Sequence, residues 1–359
     1  MSSNKKQSAR PRSRPLSSFD MKPLTWLWPG RIPAGKLTLF SGDPGLGKGT
    51  VMADLVARAT TGRLMPGSGE DDSARPGDAI LICAEDGVED TIFPRVMAAA
   101  GDPDRVRILD GAETAGPKSQ FQGISIQDVD VISQAVNQSS NPRLLVVDPV
   151  SAFMGGVDSH NNTDVRGALQ PLSELAERTG VAIILVSHLN KSKGGNSAYR
   201  TMGSLAFVAA SRAAYVVAKD KKDPDRRLLL PVKANLGPDR GGLAYRLIPT
   251  SVPSGAGEIE VCRVEWEEGV VNISADDALS DSEARKADAV DEAALDLVSD
   301  LFEGRIHVVW EEVWQHAQAA GISKARARAA LSCLGAVSRP LGFQEGWAYR
   351  LPGDHDVAG

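Results

Sequence analysis

KLTLFSGDPGLGKGTVMADLVARA, residues 36–59, sets an apolar β-rich run, a glycine-rich loop and a helical run in direct succession. Strand, loop and helix in that order are the context in which Gly42-Asp43-Pro44-Gly45-Leu46-Gly47-Lys48 reads as a P-loop rather than a chance turn. Glycines let backbone N–H groups wrap phosphate oxygens, the helix start adds positive partial charge, and Lys48 reaches the outer phosphates. The spacing therefore predicts a site for ATP built from residues 42–50. One position departs from the pattern. The residue after the lysine is usually a Ser or Thr whose hydroxyl ligates Mg²⁺, but here it is Gly49, with Thr50 one step later. Either Thr50 or a water takes that place, or metal binding is weak.

Downstream of the loop, the apolar runs AILICA, RLLVVD, VAIILVS and AAYVVAK alternate with helical stretches. Continuous apolar strands separated by helices predict a mostly parallel sheet covered on both faces, an α/β fold. After Ala218 the runs RLLLPVKAN, LAYRLI and IEVCRVEW are divided by turn signals, so antiparallel hairpins are expected to extend the sheet. Asp148 ends RLLVVD, where a carboxylate at the C-terminal sheet edge faces the loop and holds Mg²⁺; a structural turn is the competing explanation. Glu85 closes the AILICA strand and can take a proton from water attacking a γ-phosphate. Asp86 is its rival, and a helix-capping acidic cluster accounts for the later acids Glu89 and Asp90. His188 follows VAIILVS and is placed to hydrogen-bond a γ-phosphate and report its loss. Lys48 is the only obvious cation around the loop.

Composition bounds the rest. A chain of 359 residues with 42% hydrophobic and 24% charged residues predicts a large folded core plus a smaller appendage. No apolar run approaches the roughly 18 residues of a membrane span, and a cytoplasmic protein without membrane contact is expected. Cys83, Cys262 and Cys333 form no C-x-x-C pair, which argues against a disulfide framework or a zinc site. The formal charge of −6 confines any nucleic-acid contact to local basic segments. The expected organisation is a disordered basic tail over residues 1–20 (Lys5, Lys6, Arg10, Arg12 and Arg14), a core over 21–274, a polar linker over 275–292 and a second domain over 293–353.

GDPGLGK, CAED, LLVVDPVSAF, LVSHLNK and GSLAFVAASR together resemble the RecA-type hexameric ATPases, and among them the RepA-like helicases of plasmids, phages and mobile elements. The resemblance spans about residues 24–250. It implies a RecA-like core that uses ATP and Mg²⁺, with Lys48, Glu85, Asp148 and His188 in the roles given above. It further implies a homo-oligomeric, hexameric ring acting on single-stranded DNA, with a primase or replication-initiation partner. The segment Lys233-Ala234-Asn235-Leu236-Gly237-Pro238 resembles the finger that such rings insert into a neighbouring site, on a hairpin that projects outward. Lys233 matches the finger, Asn235 stands where a second cation is common, and Arg200 and Arg212 are other trans candidates; an exposed or strand-end cation is the alternative for each. Loops 155–167 and 190–204 match channel loops that hold DNA, the second carrying Lys191, Lys193, Tyr199 and Arg200. The terminal domain resembles a winged helix-turn-helix, with SKARARAALSCLG as recognition helix, Arg326 and Arg328 outward, and FQEGWAYRLP as wing. The function implied is an ATP-driven translocase or helicase in replication of a mobile element. A nucleotide-switched DNA-binding regulator or loader without unwinding is the alternative.

Overall fold

The computed structural model describes residues 13–69, 75–113, 121–157, 161–189, 205–255, 257–279, 292–340 and 347–351. The chain divides between Ala278 and Leu279 into two units. In the first, the strands are β1 (Trp26–Trp28), β2 (Ile32–Pro33), β3 (Leu37–Gly42), β4 (Asp78–Cys83), β5 (Val106–Ile108), β6 (Gly111–Glu113), β7 (Phe121–Gly123), β8 (Pro142–Asp148), β9 (Ala182–His188), β10 (Ala213–Lys219), β11 (Arg226–Ala234), β12 (Leu243–Ser254) and β13 (Gly257–Trp266). Nine of them form one sheet in the order β13-β12-β11-β10-β3-β9-β8-β4-β5. From β10 to β5 neighbours run parallel, and from β10 to β13 they run antiparallel. The mostly parallel α/β sheet and its antiparallel extension are thus as expected.

Side chains of successive strand residues point to opposite faces, and each apolar run divides accordingly. Phe40, Val146 and Ile184 join one core with helix α1 (Lys48–Thr61), through Val51, Leu55 and Val56. Leu39, Val147 and Ile183 join a second core on the other face, with α3 (Val129–Gln138) and α4 (Asn162–Thr179), α2 being Phe93–Ala98. Burial on both faces explains why these strands read as unbroken apolar runs. Each fully buried aliphatic side chain contributes about 1.5–3 kcal/mol. The sheet is therefore a stiff platform for whatever its edge carries.

The β12–β13 pair does not stay in the sheet. β12 pairs with β11 only from Leu243 to Arg246, then continues with β13 alone as a two-stranded ribbon. Tyr245 Oη donates to the Leu46 carbonyl at 3.1 Å, and Trp266 Nε1 donates to Asp54 Oδ2 at 2.7 Å. These bonds pin the ribbon to the glycine-rich loop and to α1.

Among the described residues the second unit has three helices, α7 (Glu292–Phe302), α8 (Trp310–Ala319) and α9 (Lys324–Cys333), α5 (Leu205–Ala210) and α6 (Ala275–Leu279) lying in the preceding sequence. Its strands β14 (Val308–Val309), β15 (Val337–Pro340) and β16 (Trp347–Arg350) form a sheet in the order β14-β16-β15. Ser323 caps α9 by accepting from the Arg326 N–H. Arg326 and Arg328 are exposed while Leu331 is buried, as expected. Arg328, however, lies 4.7 Å over the Trp310 ring, and Lys324 lies 4.7 Å over Trp314. Among the described residues no helix is long and apolar enough to cross a membrane.

Candidate active site

Parallel strands end at one edge, and register decides which residues meet there. Gly42 pairs with His188, and Cys83 pairs with Asp148. The edge therefore collects the glycine-rich loop, His188, Asp148 and, two residues past Cys83, Glu85. Gly45 and Gly47 have φ of 75° and 82°, a left-handed backbone that favours glycine. Lys48 is the first residue of α1, so the helix's unpaired N–H groups open beside its own side chain.

The Lys48 ammonium is held by the loop it serves. Nζ donates to the Gly42 carbonyl at 2.8 Å and the Asp43 carbonyl at 3.0 Å, and lies 3.3 Å from His188 Nδ1. The other ring nitrogen, Nε2, is 3.3 Å from Glu85 Oε2. With lysine as donor, Nδ1 accepts and Nε2 carries the proton toward the carboxylate. Lysine, histidine and glutamate thus form one polar chain along the edge.

Charge in this site is unbalanced toward the acids. Burial pushes the Asp148 carboxyl up to about 6, with nearby Asp86 and Glu85 adding to the rise and Lys48 and His188 opposing it. Burial also lowers the Lys48 pKa, against the pull of Asp148, Asp43 and Glu85. A carboxyl that resists ionisation in this way is ready to accept a cation. Asp148 and the buried Thr50 line the same cavity, of about 530 Å³, and suit the oxygen ligation that Mg²⁺ prefers. No group of three or more His, Cys, Asp or Glu suited to a metal occurs among the described residues. A magnesium ion here would complete its shell with oxygens from outside the protein, as phosphates supply. Residues and ion fit.

Arg95 is a second cation at the loop, correcting the expectation that Lys48 is the only obvious one. A π-helical turn, Val88–Ile92, runs into α2 and returns Arg95 over the start of α1. Its Nη1 lies 2.5 Å from Asp86 Oδ2. A Cβ added to Gly49 would sit 2.8 Å from that Nη1 and 3.2 Å from that Oδ2. A Ser or Thr side chain there would have to displace the tips of this ion pair. Both Glu85 and Asp86 line the cavity, but Asp86 is paired with the Arg95 guanidinium, whereas Glu85 faces the His188 ring.

The remaining expected residues lie elsewhere. Lys233 does not project: its Nζ donates to the carbonyls of Val208, Ala209 and Ser211 at 2.8, 3.2 and 2.7 Å, closing the end of α5. Burial and the neighbouring Arg212 and Arg166 lower its pKa. Arg212 is exposed just before β10, and its N–H bonds the Leu37 carbonyl, at the start of β3. Both cations thus sit at the sheet edge opposite the loop. Lys191, Lys193, Tyr199 and Arg200 lie outside the described residues, as do the middle of loop 155–167 and residues 343–346 and 352 of the expected wing, whose residues 347–350 form a strand.

Sequence reasoning read β12 and β13 as an antiparallel extension of the sheet but missed their return to the site, and it passed over Arg95. Leu247, Glu260 and Cys262 from β12 and β13 line the cavity with the loop residues. The alternation in LAYRLI and EVCRVEW signals one apolar face, but no spacing rule says where a long hairpin folds back.

Two curated relatives share part of this chain. The DNA repair protein RadA of Halalkalibacterium halodurans is 26% identical over 180 residues, covering 49% of this chain and 33% of its own length. The DNA repair protein RadA of Bacillus subtilis is 25% identical over 165 residues, covering 45% and 30%. The chain spans about a third of the length of these relatives. The family model described as an AAA domain matches residues 11–194, a stretch that holds the loop, Glu85, Asp148 and His188. On the phosphate-binding loop at its sheet edge and that match over half its length, the chain belongs to the AAA-domain family of P-loop ATPases.

Proposed function

We propose that this protein is an ATP-hydrolysing DNA translocase or helicase of the RepA-like type, acting in replication of a mobile element and catalysing at the interfaces of a ring. The observation that carries the ATPase is the polar chain from Lys48 through His188 to Glu85 at one sheet edge. Lys48 binds the outer phosphates, exchanging its loop carbonyls for phosphate oxygens. Glu85 accepts the proton of the attacking water, because Asp86 is held by Arg95 and Glu85 is not. His188, bonded to both neighbours, registers the γ-phosphate and passes its loss to the segment that follows β9. Asp148 and Thr50 would hold Mg²⁺, which when bound neutralises charge on the β- and γ-oxygens.

The ring draws support from charge placement. Acids Glu85, Asp86 and Asp148 crowd one edge of the sheet, while Arg212, Lys233 and Arg166 lie near one another away from it. Opposite charges on opposite edges suit a head-to-tail contact, the heterologous kind that closes rings. Lys233 is engaged by three carbonyls, so the trans cation is assigned to Arg212. Single-stranded DNA as ligand rests on the basic loop 190–204 and on the names of the RadA relatives. The second unit is taken as a winged helix-turn-helix because helices and strands alternate as helix, strand, helix, helix, strand, strand. A primase or initiation partner rests on the family resemblance alone.

Gly49 favours a second reading, a nucleotide-switched DNA-binding regulator or loader, because the usual magnesium hydroxyl is replaced by the Arg95–Asp86 pair. Phosphate release with and without single-stranded DNA separates the two. The translocase shows DNA-stimulated release, and Glu85→Gln keeps ATP binding while turnover falls by about 10²-fold or more. Tight ATP binding with no release under either condition would select the regulator.

A further inference from the structure

The ribbon of β12 and β13 approaches the nucleotide cavity from the far end of the sheet, and its pleat decides what it presents there. Leu247 lies opposite Val264, and the next pair on the same face is Pro249 with Cys262, followed by Ser251 with Glu260. On that face Tyr245 and Trp266 come first and are fixed, by the Leu46 carbonyl and by Asp54. Trp266 also packs edge-on to Trp28, with centroids 5.7 Å apart. Leu247 comes next and presses on the loop, since a Cβ on Gly47 would lie 2.7 Å from Leu247 Cδ1. Beyond that contact the same face continues over the cavity, where Cys262 and Glu260 are part of the lining. The ribbon also packs against α2, the helix that carries Arg95, so its Cys262 and Glu260 are held at the cavity wall.

The cavity has two chemically different ends. Lys48, Arg95 and the helix start gather positive charge for phosphates, while Leu247 and Cys262 offer an apolar surface with one carboxylate, Glu260, at its rim. At about 530 Å³ the space exceeds what three phosphates need and is in the range of small-molecule sites. We propose that the ribbon is the base-side wall of the nucleotide site: a purine lies against Leu247 and Cys262, and the Glu260 carboxylate accepts hydrogen bonds from the ribose hydroxyls. This rests on the reading of the loop as a nucleotide site. An ionised carboxylate is an acceptor only, and vicinal hydroxyls are a matching pair of donors. The antiparallel extension of the sheet is then part of ligand recognition rather than a cap on its edge.

The test compares ATP with inorganic tripolyphosphate, which carries the phosphates and lacks base and ribose. Binding of each to the full-length protein with Mg²⁺ is measured by calorimetry, for the wild type, Leu247→Ala, Cys262→Trp and Glu260→Ala. Wild type is expected to bind ATP at least about tenfold more tightly than tripolyphosphate, the gain from seating base and ribose on the wall. In Cys262→Trp, one pleat beyond the residue that touches the loop, that advantage shrinks to about threefold or less while tripolyphosphate binding is unchanged. Leu247→Ala lowers the ATP advantage in the same sense, and Glu260→Ala lowers it for ATP more than for 2′-deoxyATP. Retained tripolyphosphate binding shows that each variant's loop is folded. If ATP keeps its full advantage in Cys262→Trp and Glu260→Ala, the wall is elsewhere and the inference is overturned. If wild type binds neither ligand, the nucleotide reading itself fails, a pattern distinct from the first.

Discussion

At the scale of single residues, Gly49 decides how the metal site is understood. The sequence alone invites Gly49→Ser as a repair, supplying the hydroxyl that usually ligates Mg²⁺. The geometry argues against that expectation, because a Cβ there would lie 2.8 Å from Arg95 Nη1 and the guanidinium would have to leave Asp86 to make room. Gly49→Ser alone should therefore leave the Mg²⁺ requirement of phosphate release no lower and weaken nucleotide binding. Combined with Arg95→Ala, which vacates the space, the serine should lower the requirement, with a coupling between the two substitutions of about 1 kcal/mol or more, roughly fivefold. A single Gly49→Ser variant that needs less Mg²⁺ than wild type would refute this. Asp148 carries a second residue-scale expectation. Its carboxyl, pushed up to about 6 by burial, must lose its proton before it can hold a cation. Apparent Mg²⁺ affinity in the presence of ATP should thus fall as pH drops below about 6, by up to about tenfold per unit, and stay level above it. Titrations at about pH 5 and pH 7.5 check the sign, and Asp148→Asn should bind Mg²⁺ weakly with no such slope.

At the scale of elements, what was legible in the sequence was local and periodic. The five central parallel strands β3, β4, β8, β9 and β10 announced themselves as apolar runs because both of their faces are buried, and Leu39 and Phe40 now sit in different cores for that reason, whereas the short, half-exposed β5 gave no such run. Residues at strand ends, Asp148 and His188, were placed correctly because a parallel sheet collects strand ends at one edge whatever the loops do. Arg95 escaped notice since its approach to the loop depends on a π-helical turn, whose extra residue per turn redirects the helix that follows. The ribbon escaped for a longer-range reason. Its destination is set by two hydrogen bonds, Tyr245 to Leu46 and Trp266 to Asp54, between residues about two hundred positions apart, and no spacing within β12 or β13 encodes them. Lys233 shows the converse error: a motif match gave it an outward role, while the carbonyls ending α5 sit where its ammonium reaches them. Periodicity foretells elements, and side-chain partners across the fold decide what the elements present.

At the scale of the whole molecule, the distribution of charge sets a condition on where catalysis is completed. The acids of the loop edge and the cations Arg212 and Lys233 are separated by the length of β3, six residues or about 20 Å at the usual rise of a strand. Neither cation can serve its own subunit's phosphates, so any catalytic role for them is in a neighbour. Within the subunit, Arg95 is paired to Asp86 and Lys48 is bound to its loop, and phosphoryl transfer gains as much as about 10³-fold from a further inserted cation. Arg212, exposed beside the bound Lys233, is the group free to supply it. Glu85→Gln and Arg212→Ala should each be inactive alone. Mixed in equal amounts and shown to co-assemble, they should recover about a quarter of the wild-type rate, because one head-to-tail interface in four then joins an intact Glu85 to an intact Arg212. Lys233→Ala should instead lower stability through the lost helix-end contacts and give no such complementation. Rescue with Lys233→Ala and none with Arg212→Ala would return the trans role to the lysine and keep the ring. Specific activity that stays constant on dilution, with only monomer in sedimentation, would remove the ring altogether and leave each subunit to complete its site with Lys48 and Arg95.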